Sequence, residues 1–595
     1  MKTITDSASI VGKVAYKFSQ VIPIYPITPS SPMAEMCASL SEKKEKNLFG
    51  QDVKIVELQS EGGVAGTLHG ALLSKAFSST FTSSQGLLLM MPNMFKIAGE
   101  SLPAVIHVAS RAVASQALSI FCDHSDVMAV RSTGFLMLSS HSVQESYDMS
   151  VISHILAMKS LLPVLHFFDG FRTSHEIQKI DILKESQLKT LAKDYFEKFA
   201  SSYKDVQYGT AQNPDVFFQN RERNEQKYQN VKSSLKEIFN EFENLTGRKY
   251  NFFEFYGQSN AKNIIVAMGS SCKSIEEYID KNPDKKIGLI KVRLFRPFFE
   301  DEFISSLPKE VKTITVIDRT KENGGENPLF QDVVCSVNKY GINAKVLSGR
   351  YGLGGKDFDL NQIHTIFENM NGENKTNFTV GIDDDISNSS LKIIPFQNDN
   401  DDNFEIKIFG LGSDGSVSSS KGCIKILGEK YNKFVQGYFE YDSKKSGSLT
   451  ISHLRLSDNP IKSEYLLKNE NIVCINNFSF VTKYDCLSGL KNNGVVLINS
   501  IFKSDEIDKV LPVGYVNKLK ETNSKLFVIN AQKIAKENGL GQKVNIIMQS
   551  ALLLASGLLN KDEIKNYVGN QVEKSFASKG QIVIEKNLNA VNDAI

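Results

Sequence analysis

The sequence predicts an α/β fold class, with three successive α/β domains built on mainly parallel sheets. Short apolar runs with strand character alternate with helix-period segments along most of the 595 residues. Changes to polar composition near residue 257 and around residues 398–403 divide this pattern. The predicted domains are therefore residues 1–257, 258–397 and 403–595, with a helical excursion at residues 177–250 inside the first.

Composition and charge exclude several classes of protein. Lys+Arg 69 against Asp+Glu 67 leaves a net charge of +2 without a basic stripe, so no nucleic-acid partner is expected. The apolar runs are too short to span a bilayer and no signal peptide is recognisable, so we expect a cytoplasmic protein without a membrane partner. The seven cysteines form no C-x-x-C pair, which predicts reduced thiols and no iron–sulfur cluster in this chain.

The first predicted helix, residues 8–22, leads into a proline-rich turn at residues 25–32. Three prolines within seven residues of this turn are incompatible with a helix and make the turn rigid. Thr28 is therefore held in place and could present its hydroxyl group to a ligand. The alternative role is in a Thr–Ser cap for a second helix at residues 33–40, and the two roles are compatible.

The segment at residues 56–70 places one carboxylate, Glu61, before a run of glycines and alanines. So little side-chain bulk on a helical segment would let a flat ligand or another backbone approach closely. One hypothesis is a cofactor-binding surface centred on Glu61. The other is a tight helix crossing in which Glu61 is a solvated residue of the first turn.

A buried-type strand at residues 104–108 leads directly to Ser110 and Arg111. Open α/β sheets bind ligands at the carboxyl ends of their strands, so Arg111 is placed to grip a carboxylate bidentately. The alternative for Arg111 is a surface salt bridge. Strand and helix patterns continue through residues 162–168, and after the excursion they resume at residues 263–318, which indicates the second α/β domain.

The third domain opens with a strand at residues 404–409 and a glycine-rich loop that matches G-x-G-x-x-G. The acidic residues considered for a ribose contact, Glu440 and Asp442, lie farther on than the expected spacing of about 20 residues, which favours a phosphate-binding loop over a nicotinamide site. Lys444 and Lys445 could add positive charge for the same anion. The alternative is a solvated hairpin on which both lysines point outward. The candidate anion-binding residues are Gly412, Ser413, Asp414, Gly415, Ser416, Lys444 and Lys445.

Taken together, these motifs resemble the pyruvate:ferredoxin (flavodoxin) oxidoreductase family, and the resemblance runs essentially from end to end. The segments that carry it are residues 25–35, 59–61, 117–121, 123–126, 168–176, 210–219, 318–322, 349–353, 410–415 and 441–447. The resemblance implies a thiamine-diphosphate pyrimidine-binding domain, a transketolase-C-terminal-like domain and a gamma-type oxidoreductase domain, in that order.

The resemblance also implies roles for the candidate residues. Glu61 would hydrogen-bond the ring nitrogen of the aminopyrimidine as an orienting acid, while Thr28 and Arg111 would hold the carboxylate and keto oxygen of pyruvate. Residues Gly412 to Ser416 and the lysine pair Lys444 and Lys445 would contact the phosphates of coenzyme A as co-substrate. Ser7 and Ala8 stand where the family pattern has Gly-Asn, and Cys122 stands where glycine is usual.

Two parts of the family pattern are absent from the sequence: a cysteine-rich ferredoxin-like segment and a Gly-Asp-Gly motif for Mg²⁺ and the diphosphate. We therefore expect an amino-terminal half that is inactive alone, with a second polypeptide supplying the iron–sulfur clusters and Mg-diphosphate domain. The thiamine diphosphate would be shared with that polypeptide, in a homodimer or higher assembly. The alternative is a catalytically silent scaffold, similar to the amino-terminal region of the sulfite reductase flavoprotein.

Overall fold

The predicted alternation of strands and helices is present along the described chain. A computed structural model describes residues 1–201, 208–397, 403–441 and 448–595. Up to residue 181 the elements are β1 (Lys2–Asp6), α1 (Ser7–Phe18), β2 (Val21–Ile24), α2 (Ser31–Glu42), β3 (Lys54–Glu57), α3 (Glu61–Leu73), β4 (Ser78–Thr82), α4 (Ser84–Gly99), β5 (Ala104–Ser110), α5 (Ser125–Ala129), β6 (Leu136–Ser139), α6 (Val143–Ser160), β7 (Val164–Asp169) and β8 (Ile177–Asp181).

Three excursion helices and the elements of a second sheet follow. They are α7 (Glu185–Ser201), α8 (Pro214–Arg223), α9 (Glu225–Thr246), β9 (Phe253–Gly257), β10 (Asn263–Ala267), α10 (Ser271–Asp280), β11 (Ile287–Val292), β12 (Leu294–Arg296), α11 (Glu300–Ser306), β13 (Thr313–Asp318), α12 (Pro328–Lys339), β14 (Lys345–Arg350), α13 (Leu360–Asn371) and β15 (Phe378–Thr379). The rest of the chain forms β16 (Phe404–Leu411), α14 (Ser416–Lys430), β17 (Phe434–Tyr441), β18 (Leu449–Ser457), β19 (Glu470–Ile475), β20 (Leu490–Asn499), α15 (Ile507–Val510), α16 (Val513–Glu521), β21 (Lys525–Ile529), α17 (Ala531–Glu537), α18 (Asn545–Ala555), α19 (Lys561–Phe576) and α20 (Gln581–Asp593).

A seven-stranded sheet in the order β12-β6-β7-β5-β4-β2-β3 organises the first part of the chain. All its pairings are parallel except that of β12 with β6. Every residue of β4, β5 and β7 is buried, which accounts for the unbroken apolar runs from which the inner strands were predicted. Because these strands are parallel, their last residues Thr82, Ser110 and Asp169 lie at one edge of the sheet.

The second sheet has six strands in the order β15-β14-β13-β10-β11-β9, and only the pairing of β9 with β11 is antiparallel. The excursion helix α9 buries one side, with Val231, Leu235, Ile238 and Phe242 at intervals of three and four residues. By contrast, no residue of α8 is buried. The mainly parallel α/β fold class predicted for these regions is therefore confirmed.

The third sheet contains the consecutive strands β17-β18-β16-β19-β20-β21. β16, β19, β20 and β21 pair in parallel, whereas β18 pairs antiparallel with both β16 and β17, so this sheet is mixed. Alternating strand and helix patterns predicted a mainly parallel sheet, and a hairpin was considered only as the alternative for Lys444 and Lys445, which lie between β17 and β18. The predicted anion-binding residues Lys444 and Lys445 lie outside the described residues.

Two compact units make up the chain. The first comprises Met1–His175, Ile180–Gln397 and Lys462–Tyr465, and the second comprises Glu176–Lys179, Asn398–Ile461 and Leu466–Ile595. The seven- and six-stranded sheets both belong to the first unit, so the predicted boundary at residue 257 stays a prediction. Among the described residues, no helix combines the length and the apolar character that crossing a membrane requires.

Candidate active site

Glu61 is the first residue of α3, where the sequence predicts a helix start. The side chain of Ser60 caps the helix by accepting a hydrogen bond from Gly63 N at 3.2 Å. Glu61 is nevertheless largely buried, because only 6% of the residue is exposed. Within the described parts of the chain, no protein group donates a hydrogen bond to this carboxylate. A buried carboxylate without a donor is costly, which points to a ligand that supplies one.

The Glu61 side chain packs closely against Gly86, in the first turn of α4. A Cβ atom on Gly86 would lie 2.6 Å from Glu61 Oε1 and 2.6 Å from Thr82 Oγ1, so no side chain fits there. Thr82 Oγ1 is itself buried and has no hydrogen-bond partner among the described residues. Gly86 therefore lets the Glu61 carboxylate and the Thr82 hydroxyl group meet in a small polar cradle, in which the Thr82 hydroxyl group has no partner among the described residues.

Arg111 is buried directly after β5, with 8% of the residue exposed. Its Nη1 donates to the carbonyl oxygen of Thr28 at 2.8 Å, and its Nε donates to that of Ser119 at 3.3 Å. Burial lowers the pKa of Arg111, an effect that nearby Asp126 opposes. Arg111 makes no ion pair within the described chain, so the predicted alternative of a surface salt bridge does not apply. Its charge remains available to an anionic ligand.

Thr28 is exposed in the proline turn and lies beside Arg111 through its carbonyl oxygen. Helix α2 starts at Ser31, and its N-cap residue is Ser30. No side-chain hydrogen bond caps this helix. The Thr28 hydroxyl group is thus not used as a helix cap. The structure brings Thr28 and Arg111 to one place, through the carbonyl oxygen of Thr28.

Asp126 links the backbone of Arg111 to the first turn of α4, which contains Gly86. The sequence did not indicate this role. One of its carboxylate oxygens accepts hydrogen bonds from Arg111 N at 2.9 Å and from Ser84 N at 2.8 Å, two residues before Gly86. Burial raises the pKa of Asp126 to about 7, although these backbone donors lower it. The motif at residues 123–126 contributed to the resemblance, but its spacing alone does not show which backbone groups it holds.

A second buried network, around Asp169, was also missed. His124 Nε2 lies 2.8 Å from Asp169 Oδ1, while Arg319 Nη1 and Ser270 Oγ donate to Asp169 Oδ2 at 2.6 and 2.7 Å. Although burial raises the pKa of Asp169, Arg319 and His124 hold it well below its usual range. Asp169 ends β7, and Arg319 follows β13, so this network ties the two sheets of the first unit together.

The glycine-rich loop of the second unit connects β16 to α14 as predicted. Gly415 has φ +86°, which L side chains rarely adopt, and a Cβ on Gly410 would lie 1.9 Å from Ser416 Oγ. The Asp414 side chain accepts from Leu411 N at 2.8 Å and from Ser416 N at 2.7 Å. Two amides of the predicted phosphate cradle are therefore engaged by Asp414, which braces the loop in this structure.

Three protein-family models match successive parts of the chain. The model described as "Pyruvate flavodoxin/ferredoxin oxidoreductase, thiamine diP-bdg" matches residues 13–240. "Pyruvate:ferredoxin oxidoreductase core domain II" matches residues 261–363, and "Pyruvate ferredoxin/flavodoxin oxidoreductase" matches residues 405–595. These matches leave only short segments of the chain uncovered.

Curated relatives match over the whole chain. A pyruvate:ferredoxin oxidoreductase of Moorella thermoacetica is 44% identical over 605 residues, covering 100% of this chain and 52% of the relative. A pyruvate-flavodoxin oxidoreductase of Klebsiella pneumoniae is 44% identical over 604 residues, covering 99% of this chain and 51% of the relative. The chain thus spans about half the length of the curated relatives it matches.

Solved structures are more distant. A 2-oxoglutarate:ferredoxin oxidoreductase from Magnetococcus marinus, solved with 2-oxoglutarate, coenzyme A and succinyl-CoA bound, matches with a TM-score of 0.47 and 18% identity over 63% of this chain and 65% of that chain. So distant a likeness does not bear on the chemistry. The three successive family models and the 44% identity to named oxidoreductases carry the conclusion instead. The chain belongs to the pyruvate:ferredoxin/flavodoxin oxidoreductase family.

Proposed function

We propose that this chain is the pyrimidine-binding component of a pyruvate:ferredoxin or flavodoxin oxidoreductase. The overall reaction converts pyruvate and coenzyme A into acetyl-CoA, CO₂, a proton and two electrons, which pass to ferredoxin or flavodoxin. The observation that carries the proposal is Glu61, a largely buried carboxylate with no donor in the described chain, which packs closely against Gly86. The family match at residues 13–240 supports the same cofactor class.

The residues around Glu61 fit the aminopyrimidine ring of thiamine diphosphate. Glu61 can accept a hydrogen bond from a protonated ring nitrogen, and the absence of a side chain at Gly86 lets the Glu61 carboxylate lie against the first turn of α4, which fixes its position. Thiamine diphosphate, when bound, supplies the carbon nucleophile and electron sink for a 2-oxo acid. Glu61 contributes by holding a proton at that ring nitrogen, which makes it an orienting acid and not a group that attacks substrate.

Thr28 and Arg111 form the substrate side of the proposed site. The guanidinium group of Arg111 already donates to two carbonyl oxygens, which fix its orientation before substrate arrives. It offers its remaining N–H groups to the carboxylate of pyruvate, and the Thr28 hydroxyl group offers a hydrogen bond to the keto oxygen. The positive charge offsets the carboxylate until CO₂ leaves.

We further propose that the Mg-diphosphate domain and the iron–sulfur clusters are provided by a second polypeptide. In support, residues 1–595 contain neither a Gly-Asp-Gly motif nor a C-x-x-C pair. The cofactor would then lie between this chain and that polypeptide in a cytoplasmic homodimer or larger assembly, and this chain would be inactive alone.

The glycine-rich loop of the second unit is the proposed contact for coenzyme A. Leu411 N and Ser416 N are engaged by Asp414, while Gly412 N donates to Ser448 O at 2.7 Å and Asp414 N donates to Leu411 O at 3.1 Å. Phosphate recognition would therefore depend on the amides of Ser413 and Gly415 and on Lys444 and Lys445. The Asp414 carboxylate repels an anion, which makes the two lysines the larger contributors to this proposed contact.

Purification from the native source tests this function. Mass spectrometry of the co-eluting chains should identify a polypeptide with C-x-x-C and Gly-Asp-Gly motifs, and the assembly should reduce a viologen dye when both pyruvate and coenzyme A are present. An assembly that contains neither a partner nor thiamine diphosphate and reduces no dye would rule out the proposal. That result would instead favour a silent scaffold.

A further inference from the structure

We propose that Gly355 is a positioning residue for Arg111, so that a loop of the second sheet sets how tightly the site binds a 2-oxo acid. The identity of the ligand rests on the proposed function, whereas the mechanical coupling between Gly355 and Arg111 does not. The loop comprises residues 352–355, which follow β14 and are hereafter called the glycine loop. No step of the proposed chemistry otherwise uses it.

The glycine loop has a backbone conformation that suits glycine at three of its four positions. Gly352, Gly354 and Gly355 have φ values of +62°, +59° and +78°. Arg319 holds the loop from one side, because its Nε donates to Gly352 O at 3.0 Å while its Nη1 pairs with Asp169 at 2.6 Å. The loop is therefore anchored to the buried network that joins the two sheets.

On its other side the glycine loop touches the segment at residues 112–122, which follows Arg111. Gly355 N donates to Cys122 O at 2.7 Å. A Cβ on Gly355 would lie 2.7 Å from Phe121 Cβ, and one on Gly354 would lie 3.4 Å from Ser119 Oγ. The contact at Phe121 involves a Cβ atom, which cannot move away by rotating a side chain, so any group added to Gly355 displaces the backbone of this segment.

The same segment determines where the Arg111 guanidinium group lies. Ala112 N donates to Phe121 O at 3.0 Å, which closes the segment on itself, and Arg111 Nε donates to Ser119 O at 3.3 Å. In the described chain, the guanidinium group is held by Ser119 O and Thr28 O alone. A shift at Phe121 therefore reaches Ser119 within two residues and moves one of the two groups that orient Arg111.

Displacing Arg111 affects substrate binding more than chemistry. A guanidinium group recognises a carboxylate through paired hydrogen bonds, whose strength falls quickly with misalignment. The charge acts on the substrate carboxylate before CO₂ leaves. Its loss therefore weakens binding of the substrate and binding of the transition state by similar amounts. An interaction of that kind changes KM and leaves kcat nearly constant.

Gly355→Ala and Gly324→Ala are the matched pair of variants that tests the inference. Gly324 lies near the second sheet and has the same φ of +78°, but a Cβ there meets nothing within 4 Å. Both variants thus acquire the same backbone strain, and only one presses on Phe121. In the native assembly, Gly355→Ala should raise the KM for pyruvate about tenfold, which corresponds to about 1.4 kcal/mol, with kcat and the KM for coenzyme A nearly unchanged. Equal pyruvate KM values in the two variants would overturn the inference.

Hydrogen exchange of the same assembly tests the coupling without relying on turnover. The amide of Ala112, which is bonded to Phe121 O, should exchange at least about tenfold faster in Gly355→Ala than in the wild-type assembly, and at the wild-type rate in Gly324→Ala. If the wild-type assembly does not turn over pyruvate, the proposed function fails while this measurement still decides the coupling. Unchanged exchange at Ala112 in Gly355→Ala would contradict the coupling itself.

Discussion

Gly86 shows how one residue without a side chain creates the central feature of the site. The cradle exists because Gly86 faces Glu61 and Thr82, which lie on two other elements, α3 and β4. The start of a helix at Glu61 could be predicted from Ser60 and the residues that follow, because capping is a local property. The need for glycine at position 86 could not, because it arises from a neighbour 25 positions earlier in the chain.

Gly86→Ala should inactivate the assembly without unfolding it. The new Cβ would lie 2.6 Å from Glu61 Oε1, so the carboxylate must move, and a misplacement of about 1 Å in an active site costs on the order of 100-fold in rate. Gly99→Ala is the control, because Gly99 ends the same helix and a Cβ there meets nothing within 4 Å. Steady-state turnover and thermal unfolding should be measured for both. Similar turnover in the two variants would show that Gly86 does not determine the position of the Glu61 carboxylate.

At the scale of elements, the parallel strands of the first sheet were predictable and their polar interior was not. Apolar runs indicate buried strands, yet His107 on β5, His166 on β7 and His154 on α6 are fully buried together. His107 Nδ1 lies 2.9 Å from His166 Nδ1, and His154 Nε2 lies 3.0 Å from Ser79 Oγ. A single histidine in an apolar run does not reveal that it will meet two others.

This histidine cluster should make the first unit sensitive to mild acid. Burial lowers the pKa of His154 to about 4, below the 6.5 of an exposed histidine. Between pH 6.5 and 4 the unfolded chain therefore binds a proton at this residue that the folded chain does not, so stability falls as the pH falls. Asp126, whose pKa burial raises to about 7, works in the opposite direction.

A comparison of wild type with His154→Gln separates these contributions. The free energy of unfolding should be measured by urea titration at pH 7 and pH 5. Because the glutamine does not titrate, the loss of stability between the two pH values should be smaller in the variant by about 2 kcal/mol. The same loss in both proteins would mean that His154 keeps its exposed pKa in the fold.

The glycine-rich loop of the second unit is a second case in which an element was predictable and its internal bonding was not. The strand, the glycines and the helix start between β16 and α14 follow from the sequence, whereas the engagement of Asp414 with Leu411 N and Ser416 N depends on side-chain geometry. The mixed sheet that carries the loop was likewise not apparent from alternating patterns.

Removing both lysines of the proposed coenzyme A contact should weaken binding of that substrate alone. Substituting Ala for Lys444 and Lys445 together should raise the KM for coenzyme A at least about tenfold, because each charged hydrogen bond is worth about 1.5 to 3 kcal/mol. The KM for pyruvate should not change. Lys525→Ala, which alters an exposed lysine on β21, provides the control. An unchanged KM for coenzyme A in the double variant would remove this pair from the site.

At the scale of the whole chain, the structure has two compact units, whereas three successive family models match the sequence. The fold class and the family were predictable because motifs spread along the sequence agree with one another. The linking residues Asp126, Asp169 and Arg319 were not assigned, because their partners come from elements far apart in sequence. The central claim for the chain is that it provides the carboxylate side of a thiamine-diphosphate site.

The most direct test of that claim is the rate of viologen reduction, dependent on pyruvate and coenzyme A, in the native assembly carrying Glu61→Gln. Glutamine keeps the size of the side chain but cannot hold a proton on the ring nitrogen, so turnover should fall at least about 100-fold. The unfolding free energy and the set of co-purifying chains should match wild type. Turnover near the wild-type rate would contradict the role of Glu61 and with it the proposed site.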